Sequence, residues 1–419
     1  MDATDEWSAR YDALARTLPV GPDEAARLAA APFLFGMNIC VDARVDLSDP
    51  AAMAVLTGAP EGSPAHGLAR EILARVARGV GGEVRFDWAE GPDWLRGRMP
   101  FRPALGGTGP QAAAVLARLG ARAAIPLEDR TVPMLALIPP GVSIADGGAW
   151  VGAAEVAPCR DPVAEIYIFE YTAGRPVAGV VPPRSSRIIV RFSDRGIQRD
   201  PAFEAMAAGI AARAPAALVS GLNDEPASNV GAAGRHVFGL ARSWRDAGLA
   251  TIHFELAGYV SQAAVAEALE LAHGAVTSLG MSHSELLAMD PDAADPTAAM
   301  MALGDRLGLD RVCVHADGWA AAVTLGDPEV ERDALMAGCL AASARAAAGM
   351  PVAAPAVDPR ARFEALPFPE RARIGRWTFV ACASPYLDAP ATTLGLGDSF
   401  TAGCLLVLGR AAIRTAAPA

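Results

Sequence analysis

The chain has 419 residues, 52% of them hydrophobic and 20% charged, and a formal net charge of −11. Such a balance describes a globular chain rather than a disordered one, and its sign disfavours nucleic acid or an anionic membrane surface as a general partner. All 36 residues of the Lys-plus-Arg total are Arg, which excludes a Gly-Lys-Ser/Thr phosphate loop and a Schiff-base lysine and leaves phosphate handling to backbone amides, Arg and metal.

The start, Met1-Asp2-Ala3-Thr4-Asp5-Glu6, is acidic and lacks the positive region of a secretory signal, and the apolar run Ala31 to Val41 is too short to span a membrane. A cytoplasmic protein is expected. The first strand is predicted over Phe33 to Cys40. Half-exposed alternating segments follow at Asp42 to Leu47 and Glu83 to Trp88, then the turn Leu105-Gly106-Gly107-Thr108-Gly109, a helix to Leu119 and a strand over Ala121 to Pro126. A second alternating region contains Glu165 to Tyr171 and Ser186 to Phe192. Beyond it strands at Ala216 to Ser220, Leu249 to Leu256, Ala275 to Ser278, Arg311 to His315 and Phe379 to Ala383 are predicted to alternate with helices. Those helices are placed over Pro201 to Ala212, Asn229 to Ala247, Ser261 to His273, Pro296 to Leu307 and Pro328 to Ala347, and Met350 to Pro359 reads as a loop. The alternation predicts an α/β protein with a central, mainly parallel sheet flanked by helices. Residues 1–41, 104–162 and 193–419 would form this large domain. Residues 42–103 and 163–192 would form a smaller β-rich lid. The six cysteines are scattered without a zinc-type pair, so buried reduced thiols are expected and a structural zinc site is not.

The most informative segment comes last, Leu394-Gly395-Leu396-Gly397-Asp398-Ser399-Phe400. Two glycines let backbone approach an anion, and the apolar run after them reads as a helix whose N-terminus favours negative charge. Asp398 would then stand where a base removes a proton from an attacking hydroxyl. The plainer reading is a glycine turn with Asp398 as an ordinary first-turn helix residue. A dinucleotide fingerprint fits poorly, because the third glycine is missing and the loop is at the end of the chain.

Several segments in order resemble the ADP-dependent sugar kinases, the glucokinase and phosphofructokinase branch of the ribokinase-like superfamily. They are Gly36 to Asp42, Leu105 to Gly109, Ile168 to Tyr171, Ser186 to Ile189, Val219 to Leu222, His253-Phe254-Glu255, Gly280 to Leu286, Val314-His315 and Gly395 to Asp398. The resemblance implies a ribokinase-like fold, Mg²⁺ as cofactor, ADP as phosphoryl donor, and a small-molecule sugar and nucleotide as partners. It implies Asp398 as general base, with the amides of Leu396, Gly397 and Asp398 as an anion hole after Gly395. It places Asn38, Asp42, Gly107 and Thr108 at the sugar, Arg187 and His315 at the nucleotide, and Glu255 and Glu285 at magnesium. Several have structural alternatives: Asn38 and Asp42 can fix the turn into the lid, Arg187 can be solvated, Glu255 can be a surface carboxylate, and Glu285 can complement a helix dipole. Thr108 replaces the usual amide of the sugar turn and Ser282 the Asn of the Asn-x-x-Glu segment, which leaves the acceptor open. The rival readings are an ATP-dependent nucleoside or sugar kinase and a sugar-binding regulator that has lost the chemistry.

Overall fold

A computed structural model describes residues 3–28, 31–159, 165–193, 196–259, 261–290 and 296–416, so residues 163 and 164 of the expected lid lie outside it. In chain order its strands begin with β1 Phe33–Phe35, β2 Cys40–Asp46, β3 Gly82–Arg85, β4 Arg102–Gly106 and β5 Ala123–Ile125. They continue with β6 Val142–Asp146, β7 Ala149–Gly152, β8 Glu165–Tyr171, β9 Ser186–Arg191 and β10 Ala217–Val219. The last are β11 Ile252–Glu255, β12 Ser278–Ser282, β13 Arg311–His315, β14 Trp319–Thr324, β15 Arg371–Ile374 and β16 Trp377–Ala383.

Eleven strands form one sheet in the order β15-β16-β14-β13-β12-β11-β10-β1-β5-β6-β7. Pairing is parallel from β13 through β6 and antiparallel at both flanks. Parallel strands need both faces covered, and the side chains alternate accordingly. Phe33 and Phe35 enter the core under the helices Thr108–Arg118, Pro328–Ala348 and Leu396–Ala416, while Leu34 enters the core under Val230–Asp246 and Gln262–Ala272. Each fully buried Phe of this kind contributes about 1.5–3 kcal/mol.

The other five strands form a mixed sheet, order β3-β9-β8-β2-β4. Tyr167, Phe169 and Tyr171 of β8 pack with Leu68, Ile72 and Val76 of the helix Pro64–Arg78. Ile166 and Ile168, at the alternate positions, face the other way and meet Leu394 beside the glycine loop. One face of the smaller sheet is therefore a core and the opposite face roofs a cleft.

The α/β class with a mainly parallel sheet is confirmed, with local corrections. The run Phe33 to Cys40 is two strands: β1 pairs in the large sheet and β2, from Cys40, in the small one. An unbroken apolar run carries no mark of where the chain changes sheets. The strand expected over Ala275 to Ser278 begins at Ser278, and Glu83 to Trp88 is extended only to Arg85. β14 was not anticipated because Trp319-Ala320-Ala321-Ala322-Val323-Thr324 is alanine-rich and alanine is depleted in strands. The helix Leu396–Arg414 is long and apolar enough by composition to cross a membrane. Here it packs in the core against Pro328–Ala348 and Thr108–Arg118.

Candidate active site

The roofed cleft has a volume of about 1080 Å³ and lies at the C-terminal ends of the central strands, where Glu255, Ser282 and His315 end β11, β12 and β13. Its floor is the glycine loop. Gly395 takes φ +69°, a conformation costly for a side-chain-bearing residue, and a Cβ there would also collide with the Arg345 guanidinium. The helix begins at Leu396, and Ser399 is the first residue whose N–H closes on the Gly395 carbonyl, at 3.0 Å. The amides of Leu396, Gly397 and Asp398 therefore belong to the open first turn, which lines the cleft.

Asp398 is in that turn, with Thr108 beside it favouring its ionised form. Burial pushes its carboxyl up to about 6; Arg345 and Arg187 pull downward and Glu255 pushes upward. Arg187 reaches the cleft from β9, and its Nε is buried without a hydrogen-bond partner among the described residues.

Facing Asp398 is Asp42 on β2, whose carboxyl burial pushes up to about 7, with the Asp398 charge acting in the same direction. Gln111 Nε2 donates to Asp42 Oδ2 at 3.1 Å. Gly107, at φ +93°, lets the turn before Thr108 come close, since a Cβ would lie 2.6 Å from the Asn38 carbonyl oxygen. The Asn38 side chain lines the cleft but is engaged within the protein, donating to Asp224 Oδ2 at 2.9 Å and accepting from Ser220 Oγ at 3.4 Å. Asp224 also pairs with Arg191 at 2.7 Å, and Arg191 holds Glu83 at 2.9 Å. These charged side chains join the two sheets beside the cleft.

On the opposite side, Glu255 Oε2 accepts from His253 Nε2 at 2.8 Å and from Thr401 Oγ1 at 3.1 Å, while Oε1 lies 3.6 Å from His315 Nε2. Burial alone would raise this carboxyl, yet the two imidazoles hold it well below the usual range. His315 is pushed up by Glu255 against burial, meets the Phe400 ring at a tilt with centroids 4.9 Å apart and lies beneath Gly397. Glu285 closes a capping box, its Oε2 accepting the Ser282 N–H at 2.7 Å. Burial raises its carboxyl and the Glu255 charge adds to the rise. A cation between them would relieve that repulsion, and two carboxylates suit magnesium, which keeps several waters and takes few protein ligands. Among the described residues no group of three or more His, Cys, Asp and Glu forms a closed metal site.

All twelve predicted site residues, Asn38, Asp42, Gly107, Thr108, Arg187, Glu255, Glu285, His315, Gly395, Leu396, Gly397 and Asp398, line this one cleft. Sequence reasoning missed Gln111, which brings an amide one helical turn after Thr108, and the pair Arg191 and Asp224. It also missed Arg345 and Glu170. Glu170 on β8 binds Arg44 at 2.7 Å, Thr392 Oγ1 at 2.7 Å and the Thr393 N–H at 3.0 Å, tying the small sheet to the segment before the glycine loop. The spacing of Gln111 from Thr108 was the only signal in the sequence; the others meet partners distant in the chain.

Similar architecture occurs in solved structures of low identity. A hypothetical ADP-dependent phosphofructokinase from Pyrococcus horikoshii OT3 is 18% identical with TM-score 0.70, over 91% of this chain and 98% of that one. An ADP-dependent kinase solved with fructose-6-phosphate and ADPβS is 17% identical with TM-score 0.75, over 98% and 99% of the two chains. A reconstructed last common ancestor of ADP-dependent phosphofructokinases from Methanosarcinales is 18% identical with TM-score 0.68, over 98% and 99%. No curated protein sequence matches the chain. The model of the ADP-specific phosphofructokinase/glucokinase conserved region matches residues 34–407, and the chain therefore belongs to the ADP-specific phosphofructokinase/glucokinase family.

Proposed function

We propose that the protein transfers the β-phosphoryl group of ADP to a sugar hydroxyl, giving a sugar phosphate and AMP. The observation that carries this reading is Asp398 at the open helix turn, facing Asp42 across one cleft with Arg187 above it. The acceptor lies on the Asp42, Gln111, Gly107 and Thr108 side, where the ionised Asp42 takes hydrogen bonds from neighbouring hydroxyls. Asn38 holds the junction of the two sheets behind it through Asp224. Asp398 receives the proton of the attacking hydroxyl as its oxygen bonds to phosphorus, and the bond from phosphorus to the leaving AMP oxygen breaks. The amides of Leu396, Gly397 and Asp398 and the Arg187 guanidinium stabilise charge on the transferring group. His315 supports the nucleotide side from beneath Gly397. Glu255 and Glu285 would hold Mg²⁺, which would supply charge neutralisation for the phosphates when bound. The smaller sheet acts as a lid that excludes water from the activated phosphate.

A panel of ADP, ATP and GTP against glucose, fructose 6-phosphate, nucleosides and amino sugars, scored for the nucleotide each donor leaves behind, tests the reading. AMP formation that needs both ADP and a sugar, and stops on chelation of divalent cations, is the expected result. Turnover with ATP alone, or sugar binding without transfer, would refute it.

The pH profile follows from the raised carboxyls. A protonated Asp398 has no site for the incoming proton, so kcat/KM is expected to fall as pH drops through about 6. Asp42 titrates near it at about 7, and because the two carboxylates interact, the limb belongs to the pair. Asp42→Asn removes one negative charge and is expected to shift the limb to lower pH. A profile that stays flat down to about pH 5 contradicts the assignment of the base.

A further inference from the structure

Arg345 stands in the last turn of the helix Pro328–Ala348, where a basic side chain ordinarily complements the helix dipole from the surface. Here it turns inward and is only 6% exposed. Its guanidinium lies behind the glycine loop. Nη1 donates to Ser399 Oγ at 3.3 Å, Nη2 donates to Gln111 Oε1, and the buried Nε has no hydrogen-bond partner among the described residues. Ser399 Oγ donates on to the Gly395 carbonyl at 2.7 Å, and the guanidinium fills the place of a Cβ at Gly395. Gln111 donates on to Asp42.

A buried guanidinium without a carboxylate in direct contact is costly to fold. Two carboxylates favour its charge from a distance, Asp398 and Asp42, while Arg44 and Arg187 oppose it. The cation therefore joins the acceptor side of the cleft to the phosphate loop through one chain of contacts, Asp42 to Gln111 to Arg345 to Ser399 and Gly395.

We infer that Arg345 is a positioning residue for phosphoryl transfer, fixing the glycine loop from behind and setting it, through Gln111, against the carboxylate that receives the acceptor. The inference rests on the kinase reading above. Its consequence for Asp398 can be followed group by group. Arg345 on its helix, Arg187 on β9 and the neighbouring Thr108 favour the carboxylate, and Glu255 on β11 and Asp42 on β2 oppose it. Without Arg345, Arg187 is left to favour the Asp398 carboxylate against Glu255 and Asp42, while Asp42 keeps the influence of Arg191, so the carboxyl of Asp398 rises.

The experiment uses the full chain and the acceptor found in the panel, with Arg345→Met, Arg345→Lys and Gln111→Leu. Arg345→Met is expected to lower kcat by about 10²-fold, the scale of a loop misplaced by an ångström, with less than about threefold change in the KM for ADP. Its acid limb should move to higher pH. Arg345→Lys keeps the charge and loses the fork, so it should return the limb and leave kcat low. Gln111→Leu should lower kcat, and combined with Arg345→Met it should add little, because both break one chain. A folded Arg345→Met protein with wild-type kcat and acid limb overturns the inference. If that variant does not fold, wild-type kcat in both Arg345→Lys and Gln111→Leu overturns it. A wild-type protein without phosphotransfer overturns the kinase reading and this inference together, whereas an active wild type with unaffected variants overturns this inference alone.

Discussion

Asp398→Asn is expected to lower kcat by about 10²–10⁴-fold while leaving the fold intact, as for removal of a positioned general base. The amide has the shape of the carboxylate and keeps the helix start, but it has no basic oxygen to take the hydroxyl proton. What survives is the contribution of binding and of the loop amides. Stability separates a lost base from a damaged fold. A carboxyl raised above its ordinary value by burial is less stable ionised in the folded chain than in the unfolded one, so its charge costs stability above the ordinary carboxylate range, and that cost disappears as pH falls below it. Asn removes the cost, and the melting temperature near pH 7 should hold or rise. Kinetic assay with AMP detection, together with thermal unfolding, checks both halves. Normal turnover in the variant would end the proposed mechanism.

Glu331→Ala is expected to destabilise the protein by about 3–5 kcal/mol, the scale for breaking a buried ion pair and leaving its partner charged. Arg311 Nε lies 2.9 and 3.0 Å from the two Glu331 oxygens, with side-chain exposures of 6% and 2%. The pair joins the first turn of Pro328–Ala348 to β13, and the truncation leaves the buried Arg311 charge without its carboxylate. Total stability of a folded domain is commonly only about 5–15 kcal/mol, so the loss is a large fraction. Urea unfolding of wild type and variant measures it; a change under about 1 kcal/mol would show that the site admits water or another anion. Arg311→Met combined with Glu331→Leu should recover most of the loss, because an apolar pair of similar volume avoids the buried charge. Arg311 also donates to Ser278 Oγ at 3.3 Å, and Ser278 contacts His253 Nδ1 at 2.7 Å. The single variant is therefore expected to disturb Glu255 as well, and to raise the divalent-cation concentration needed for turnover.

Local chemistry is legible in the sequence. The glycine loop, the helix after it and the place of Glu285 at a helix start each depend on residues within a few positions, because a positive φ and an open helix turn are decided by neighbours in the chain. The alternation of β-branched and alanine-rich segments was equally readable, since each strand has to bury both faces. Where a local signal was missing, the reading failed: nothing in Phe33 to Cys40 marks a change of sheet, and the alanines of β14 do not look like a strand.

By itself the sequence determined the α/β class, the family and the twelve residues that line one cleft. Only the tertiary structure decided what those residues touch. Asn38 is taken up by Asp224, 186 positions away in the chain, and Thr392 by Glu170, 222 positions away. Arg345 reaches Gln111 across 234 positions and Gly395 from behind. The same separation decides the charge on the carboxyls, because burial and neighbouring ions set the ionisation of Asp42 and Asp398 and both arise only when the two sheets close on one another.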